Sequence, residues 1–416
     1  MSPVSPLWAI AAVSTALICA FLLVRHIGIP AESGRYVSID GLRGYAAFFV
    51  FLHHSAIWYF FLRSGLWRVP PSNLYTHFGQ SGVVFFFMIT GFLFSSKLIN
   101  ARSKPINWLQ LYISRFLRLV PLYLFCICIM FGIVTILSHF QIHESLFSII
   151  KEFVKWSSFA ISGSPNINGI HNTGIIVAGV FWTLPYEIAF YLGLPILSIL
   201  ILLMPPFECI ILTVSSLMIE MSFWRFPNRI LVIPFAAGII SAFIVRWSAI
   251  RTHLSGKIGS LVALSAIVPV VALFPTAYNR WVLLGLAVAF CIFACGNTLF
   301  GIRSSPLSRM LGELSYSIYL LQGIILFVTF KFIVGFQRAA TFSPLEHWLT
   351  ILCCTVFLIP FCSLTFRYIE APAMRAVPNA TAWVQEWLNY QIASGKSVWD
   401  RGFGTVKHAP HDDRSP

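Results

Sequence analysis

Two adjacent histidines, His53 and His54, sit in the middle of an otherwise apolar run, and that run opens on Asp40 and Arg43. Imidazole exchanges its proton nearest neutral pH, so a histidine held in a dry site can take the proton of a hydroxyl nucleophile or carry an acyl group itself. A helix turns about 100° per residue, so Arg43 and His54, eleven positions apart, fall within about 20° of one another on one face and about 16 Å apart along the axis. His53 lies about 80° away from that face. Asp40, three residues before Arg43, can pair with it if the helix starts that early. The structural alternative is that Asp40 and Arg43 only cap and anchor a helix, while the histidines bond to neighbouring helices.

Three further stretches carry chemistry. In "YISRFLRLVPLY", Arg115 and Arg118 are three residues apart on one face at the start of a span, where two guanidiniums can grip phosphate; ordinary positive-inside anchoring is the alternative. In "FWTLPYEIAFYLGLP", Glu187 is a lone carboxylate between Pro185 and Tyr191, and in lipid it needs a partner, a proton or water. In "GELSYSIYLLQ", Ser315, Tyr316 and Tyr319 form a polar stripe at helical spacing, equally able to bind a polar ligand or to join two helices.

These groups sit in a chain of 416 residues that is 58% hydrophobic and 10% charged. A soluble domain carries about 25% charged residues, so an all-α polytopic membrane protein is expected. Eleven spans are predicted, roughly at 7–24, 44–62, 80–100, 119–138, 184–204, 209–222, 230–246, 258–275, 281–300, 315–336 and 346–366. The formal charge of +14 is dispersed over short loops, which suits topology signals and anionic lipid contacts and excludes a nucleic-acid partner. All nine cysteines (Cys19, Cys126, Cys128, Cys209, Cys291, Cys295, Cys353, Cys354 and Cys362) lie in apolar runs without zinc or redox spacing and read as small hydrophobes; no metal site is implied. The N-terminal run lacks a basic leader and is followed by Arg25 and His26, which predicts an uncleaved span with an outside N-terminus. The long segment 139–183 then falls outside and reads as loop. The expected organisation is an extra N-terminal helix (1–30), one membrane domain (31–376) and a polar cytoplasmic tail (377–416) with a short amphipathic helix at 381–392.

Six stretches in order, "IDGLRGYAAFFVFLHH", "GQSGVVFFFMITGFLF", "YISRFLRLVPLY", "FWTLPYEIAFYL", "GELSYSIYLLQ" and "FRYIEAPAMR", together resemble the acyltransferase type 3 family of bacterial membrane O-acyltransferases. The resemblance covers about 36–375. It implies ten core spans and transfer of an acyl group, usually acetyl from acetyl-CoA, to a hydroxyl of a sugar or related acceptor. Family members carry an Arg and a His eleven positions apart in the first motif, which selects His54 over His53 and pairs it with Arg43. The paired arginines match Arg115 and Arg118, and the acid of the third motif matches Glu187. The chain departs from the family at Gln322, where a His is common, at Pro185 before the acid, and at Thr90 before Gly91.

The resemblance and the residue chemistry together predict an inner-membrane O-acetyltransferase. His54 is the expected base or acyl carrier. Arg43, paired with Asp40, is expected to hold the thioester end, Arg115 and Arg118 the coenzyme A phosphates, and Glu187, reached from the outside, the acceptor or His54. Trp182, Tyr186, Tyr316 and Tyr319 are expected to contact a saccharide or glycolipid acceptor. A transporter of a lipid-linked glycan or small solute, or a non-catalytic envelope subunit, are the rival readings.

Overall fold

In hydrocarbon every backbone polar group must be paired within its own segment, so long apolar runs become helices. The computed structural model describes residues 1–28, 36–101, 105–204 and 228–403, with scattered residues between 208 and 219 and side chains as far as 391. Among the described residues the only β pairing is one bridge between Ile167 and Ile170; the rest of the regular structure is helical. The expected boundary at residue 30, half of the expected span 209–222 with Cys209, and the end of the tail lie outside the described residues.

Among the described residues, seven helices are long and apolar enough to cross a membrane. An eighth crossing is available from the pair α7 (Val232–Ile244) and α8 (Ser248–Ser255), bent by 109°. The apolar helices α9 (Lys257–Leu273) and α10 (Arg280–Ala294) are shorter, at 17 and 15 residues. At 1.5 Å per residue they measure roughly 25 and 22 Å.

The first helix, α1 (Pro6–Ile27), shows how burial is distributed in such a chain. Its buried side is the small-residue row Ala9, Ala12, Ala16 and Ala20, while Leu7, Ile10, Ile18 and Phe21 are exposed. Small residues let two helix backbones approach closely where lipid supplies no hydrophobic drive. That row lies against α14 (Pro344–Thr365), which follows the short α13 (Phe336–Ala340), with Trp8 stacked on Trp348 at 6.2 Å and Trp348 Nε1 donating to the Pro3 carbonyl at 2.8 Å.

At the centre stand α2 (Val37–Ser64) and α3 (Asn73–Asn100), buried on most sides. The helix α2 begins seven residues before the predicted span, because "VSIDGLR" is compatible with helix and its start packs on residues 303–312. Asp40 and Arg43 are therefore helical and one turn apart, with Arg43 Nη1 3.7 Å from Asp40 Oδ1. Around this pair are α4 (Trp108–Leu137), α6 (Leu184–Leu203), α7, α11 (Pro306–Glu313) and α12 (Ser315–Val328). From α14 the chain continues through a wider turn at Phe366–Glu370 and the short α15 (Ala371–Arg375) into α16 (Val377–Phe403), a longer helix than the one expected in the tail. On α16 the exposed Trp383, Trp387 and Tyr390 share one stripe, the pattern of a helix lying at a lipid interface.

The segment 139–183 is not simply an outside loop. After α5 (Leu146–Ser157), two short 3₁₀ turns, Thr173–Val177 and Val180–Thr183, enter the bundle with Ile176, Val177, Val180 and Phe181 buried. The close approach needs Gly323 on α12, where any Cβ would overlap the backbone of Val177 and Ala178. Irregular backbone at membrane depth is tolerated where protein covers it. The first residues of α6, Leu184 to Tyr186, are buried beside this turn.

Candidate active site

Five helices and the turn Val180–Thr183 converge on a cavity of about 120 Å³. Its charged wall is Arg43 from α2, Arg115 and Arg118 from α4, and Glu187 from the first turn of α6. Tyr191, Ser315, Tyr316, Tyr319 and Thr90 add hydroxyls, and Val83, Phe86, Phe87 and Leu184 close it with apolar surface. Spacing on each helix explains the convergence. Arg115 and Arg118 are one turn apart on α4, as are Glu187 and Tyr191 on α6, and the Tyr191 hydroxyl donates to Glu187 Oε1.

Each guanidinium has a fixed neighbour. Arg43 has Asp40, and Arg118 Nη1 lies 3.2 Å from Glu370 Oε2. Arg115 sits over Phe94 at 5.4 Å and beside the hydroxyl of Tyr191. The Tyr316 hydroxyl donates to the Leu119 carbonyl at 2.7 Å, which ties α12 to α4. Ser315 Oγ is buried at this wall without a hydrogen-bond partner. Glu187, expected to be reached from the outside, shares a chamber with the three arginines.

A second cavity, of about 300 Å³, holds both histidines. His53 Nδ1 donates to the Tyr75 carbonyl at 2.7 Å, and its ring lies where a Cβ on residue 79 would be, so Gly79 is what leaves it room. His54 Nδ1 meets the side-chain amide of Gln322, 3.3 Å from Oε1 and 2.9 Å from Nε2. The two contacts belong to opposite tautomers: with the amide N–H donating to Nδ1 the ring proton is on Nε2, and with the amide turned so that Nδ1–H donates to Oε1, Nε2 keeps its lone pair, the tautomer a base requires. The His54 ring is stacked at 6.3 Å on Trp67, and Arg68, Gln80, Trp182 and Tyr278 complete the wall. Gln80 Oε1 accepts from Thr276 Oγ1 and from the Ala277 N–H, both at 2.8 Å, and so fixes the segment carrying Tyr278.

The two chambers meet. Val83 and Tyr319 line both of them. The Tyr319 hydroxyl donates to the Val180 carbonyl at 3.0 Å and lies 2.8 Å from Thr183 Oγ1, so the inserted turn holds the partition in place.

Of the residues singled out in the sequence, Arg43, Arg115, Arg118, Glu187, Tyr316 and Tyr319 share the arginine chamber, and His54, Trp182 and Tyr319 share the histidine chamber. Asp40 stands behind Arg43. Tyr186 lines neither: its ring is on Phe87 and its hydroxyl donates to the Asn228 carbonyl at 3.4 Å. Two partners were not read from the sequence. Gln322 was given no role, yet it is the residue bonded to His54. Glu370, the lone acid of "FRYIEAPAMR", is buried and accepts from the Ser317 hydroxyl as well as facing Arg118. The signal for Glu370 was available, since an acid in an apolar run is the same signal that marked Glu187.

The chain with this pair of chambers belongs to the family described as the acyltransferase domain, whose model matches residues 36–367. Among characterised proteins it is similar to the O-acetyltransferase OatA of Staphylococcus aureus, for example of strains COL and MW2, with 26% identity over 377 residues, 82% of this chain and 57% of the relative. The chain thus spans little more than half the length of the relatives it matches. No solved structure matches it.

Proposed function

We propose that this protein is an inner-membrane O-acetyltransferase that moves an acetyl group from acetyl-CoA to a hydroxyl of a cell-envelope or exported saccharide. The observation that carries the reading is the pair of chambers separated by Val83 and Tyr319, with guanidiniums on one side and His54 on the other. The acetyl end of the donor suits the first chamber, where the unpartnered Ser315 hydroxyl can donate to a thioester carbonyl. Arg43 holds the mouth, with Arg115 and Arg118 attracting the anionic remainder of the donor. The aromatic and polar wall of the second chamber, Trp67, Trp182, Tyr278 and Arg68, suits a sugar ring.

Gln322 orients the His54 ring, and Nε2 of His54 takes the proton of the acceptor hydroxyl. The new C–O bond forms as the C–S bond breaks, and the proton passes from His54 to the departing thiolate. The relatives named above are O-acetyltransferases, which favours acetyl over a longer group.

Purified protein in lipid nanodiscs, given acetyl-CoA and a soluble glycoside, should release free thiol and acetylate the glycoside. His54→Ala should lower the rate by about 10²–10⁴, the usual contribution of a positioned base, with His53→Ala milder. Full activity in His54→Ala at equal protein would exclude His54 as the base.

A further inference from the structure

The two residues that line both chambers also stand where an acyl group must cross. The thioester end is held on the arginine side, and the base that activates the acceptor is on the histidine side. Val83 projects from α3, and Tyr319 projects from α12 with its hydroxyl clamped by Val180 and Thr183. Behind Val83 on the arginine side are Phe86 and Phe87, so the approach is narrow and apolar.

We infer that Val83 and Tyr319 form a size filter that sets the length of the acyl group transferred, passing two carbons and opposing four. This rests on the acyl-donor reading above and extends it to a specificity no motif carries. The chemical step is unchanged: the acyl carbon leaves sulfur for the acceptor oxygen, and the acceptor proton ends on the thiol. The filter acts on how near that carbon comes to His54. Tyr319 is held by two polar contacts and is the rigid jaw, while Val83 has no polar contact and sets the aperture. In an apolar pocket each added methylene changes discrimination by about 10–200-fold.

The test is a donor series. Thiol release from acetyl-, propionyl- and butyryl-CoA is measured with methyl glucoside as acceptor, and product mass confirms the group transferred. Wild type should favour acetyl. Val83→Ala should raise the butyryl-to-acetyl ratio of kcat/KM at least tenfold. Val83→Phe should depress acetyl transfer with little change in donor KM. Val83→Thr keeps the side-chain shape and should retain the wild-type ratio, which separates aperture from general damage to the core. An active Val83→Ala with an unchanged ratio overturns the filter alone. Absence of thiol release from every acyl-CoA by wild type overturns the donor reading and the filter with it.

Discussion

Removing the Glu370 carboxylate should destabilise the protein far more than removing the whole pair to which it belongs. Glu370 is 1% exposed, its Oε2 is 3.2 Å from Arg118 Nη1, and it accepts from the Ser317 hydroxyl. Glu370→Ala leaves Arg118 charged and largely buried without the carboxylate it is paired with, beside the Met374 sulfur at 3.1 Å and the Tyr316 ring at 5.8 Å. Breaking a buried ion pair from one side costs about 3–5 kcal/mol, whereas replacing both members with apolar groups of similar volume is often nearly neutral. The double variant Arg118→Met with Glu370→Leu should therefore recover most of the loss, with a coupling free energy of about 2–3 kcal/mol. The assay is thermal unfolding in detergent, followed by the surviving monodisperse fraction, for wild type, both single variants and the double. Activity distinguishes the roles, because the double variant should be folded and still poor in transfer, Arg118 being part of the donor chamber. A Glu370→Ala protein as heat-resistant as wild type, or a double variant no better than Glu370→Ala, would refute the reasoning.

Gly323→Val should fail to accumulate or lose transfer entirely, since its side chain would displace the Val177–Ala178 backbone and with it the turn that clamps Tyr319; activity equal to wild type, at equal protein, would show that the inserted turn does not need that contact. Sidedness can be read by cysteine labelling in intact cells, in a background without native thiols. A cysteine at the exposed Ser164, in the segment before α6, should react with an impermeant reagent, and one at the exposed Ser304, beside the helix cap Ser305, should not. The reverse pattern would place the arginine chamber on the side without coenzyme A.

Much of the protein is written in its linear order. The apolar runs identify the helices because lipid leaves no other way to pair the backbone. Helical periodicity places Arg43 and His54 on one face, Arg115 beside Arg118, and the Ser315–Tyr319 stripe on α12, since these relations lie within one element. What only the tertiary structure decided are relations between elements. His54 is bonded to Gln322, 268 positions away, and no periodicity in either helix announces that pairing. Arg118 finds Glu370 only because the chain after α14 turns back along α4. Glu187 was expected to orient the acceptor or tune His54, and its place among the three arginines could not be read from its own span. Gly323 lets the turn before α6 pack into the bundle, and the carboxylate in the first turn of α6 then stands beside the arginines. The division into two chambers has the same origin: Val83 and Tyr319 are ordinary core residues in their own helices, and they become a partition only where α3 and α12 meet the inserted turn.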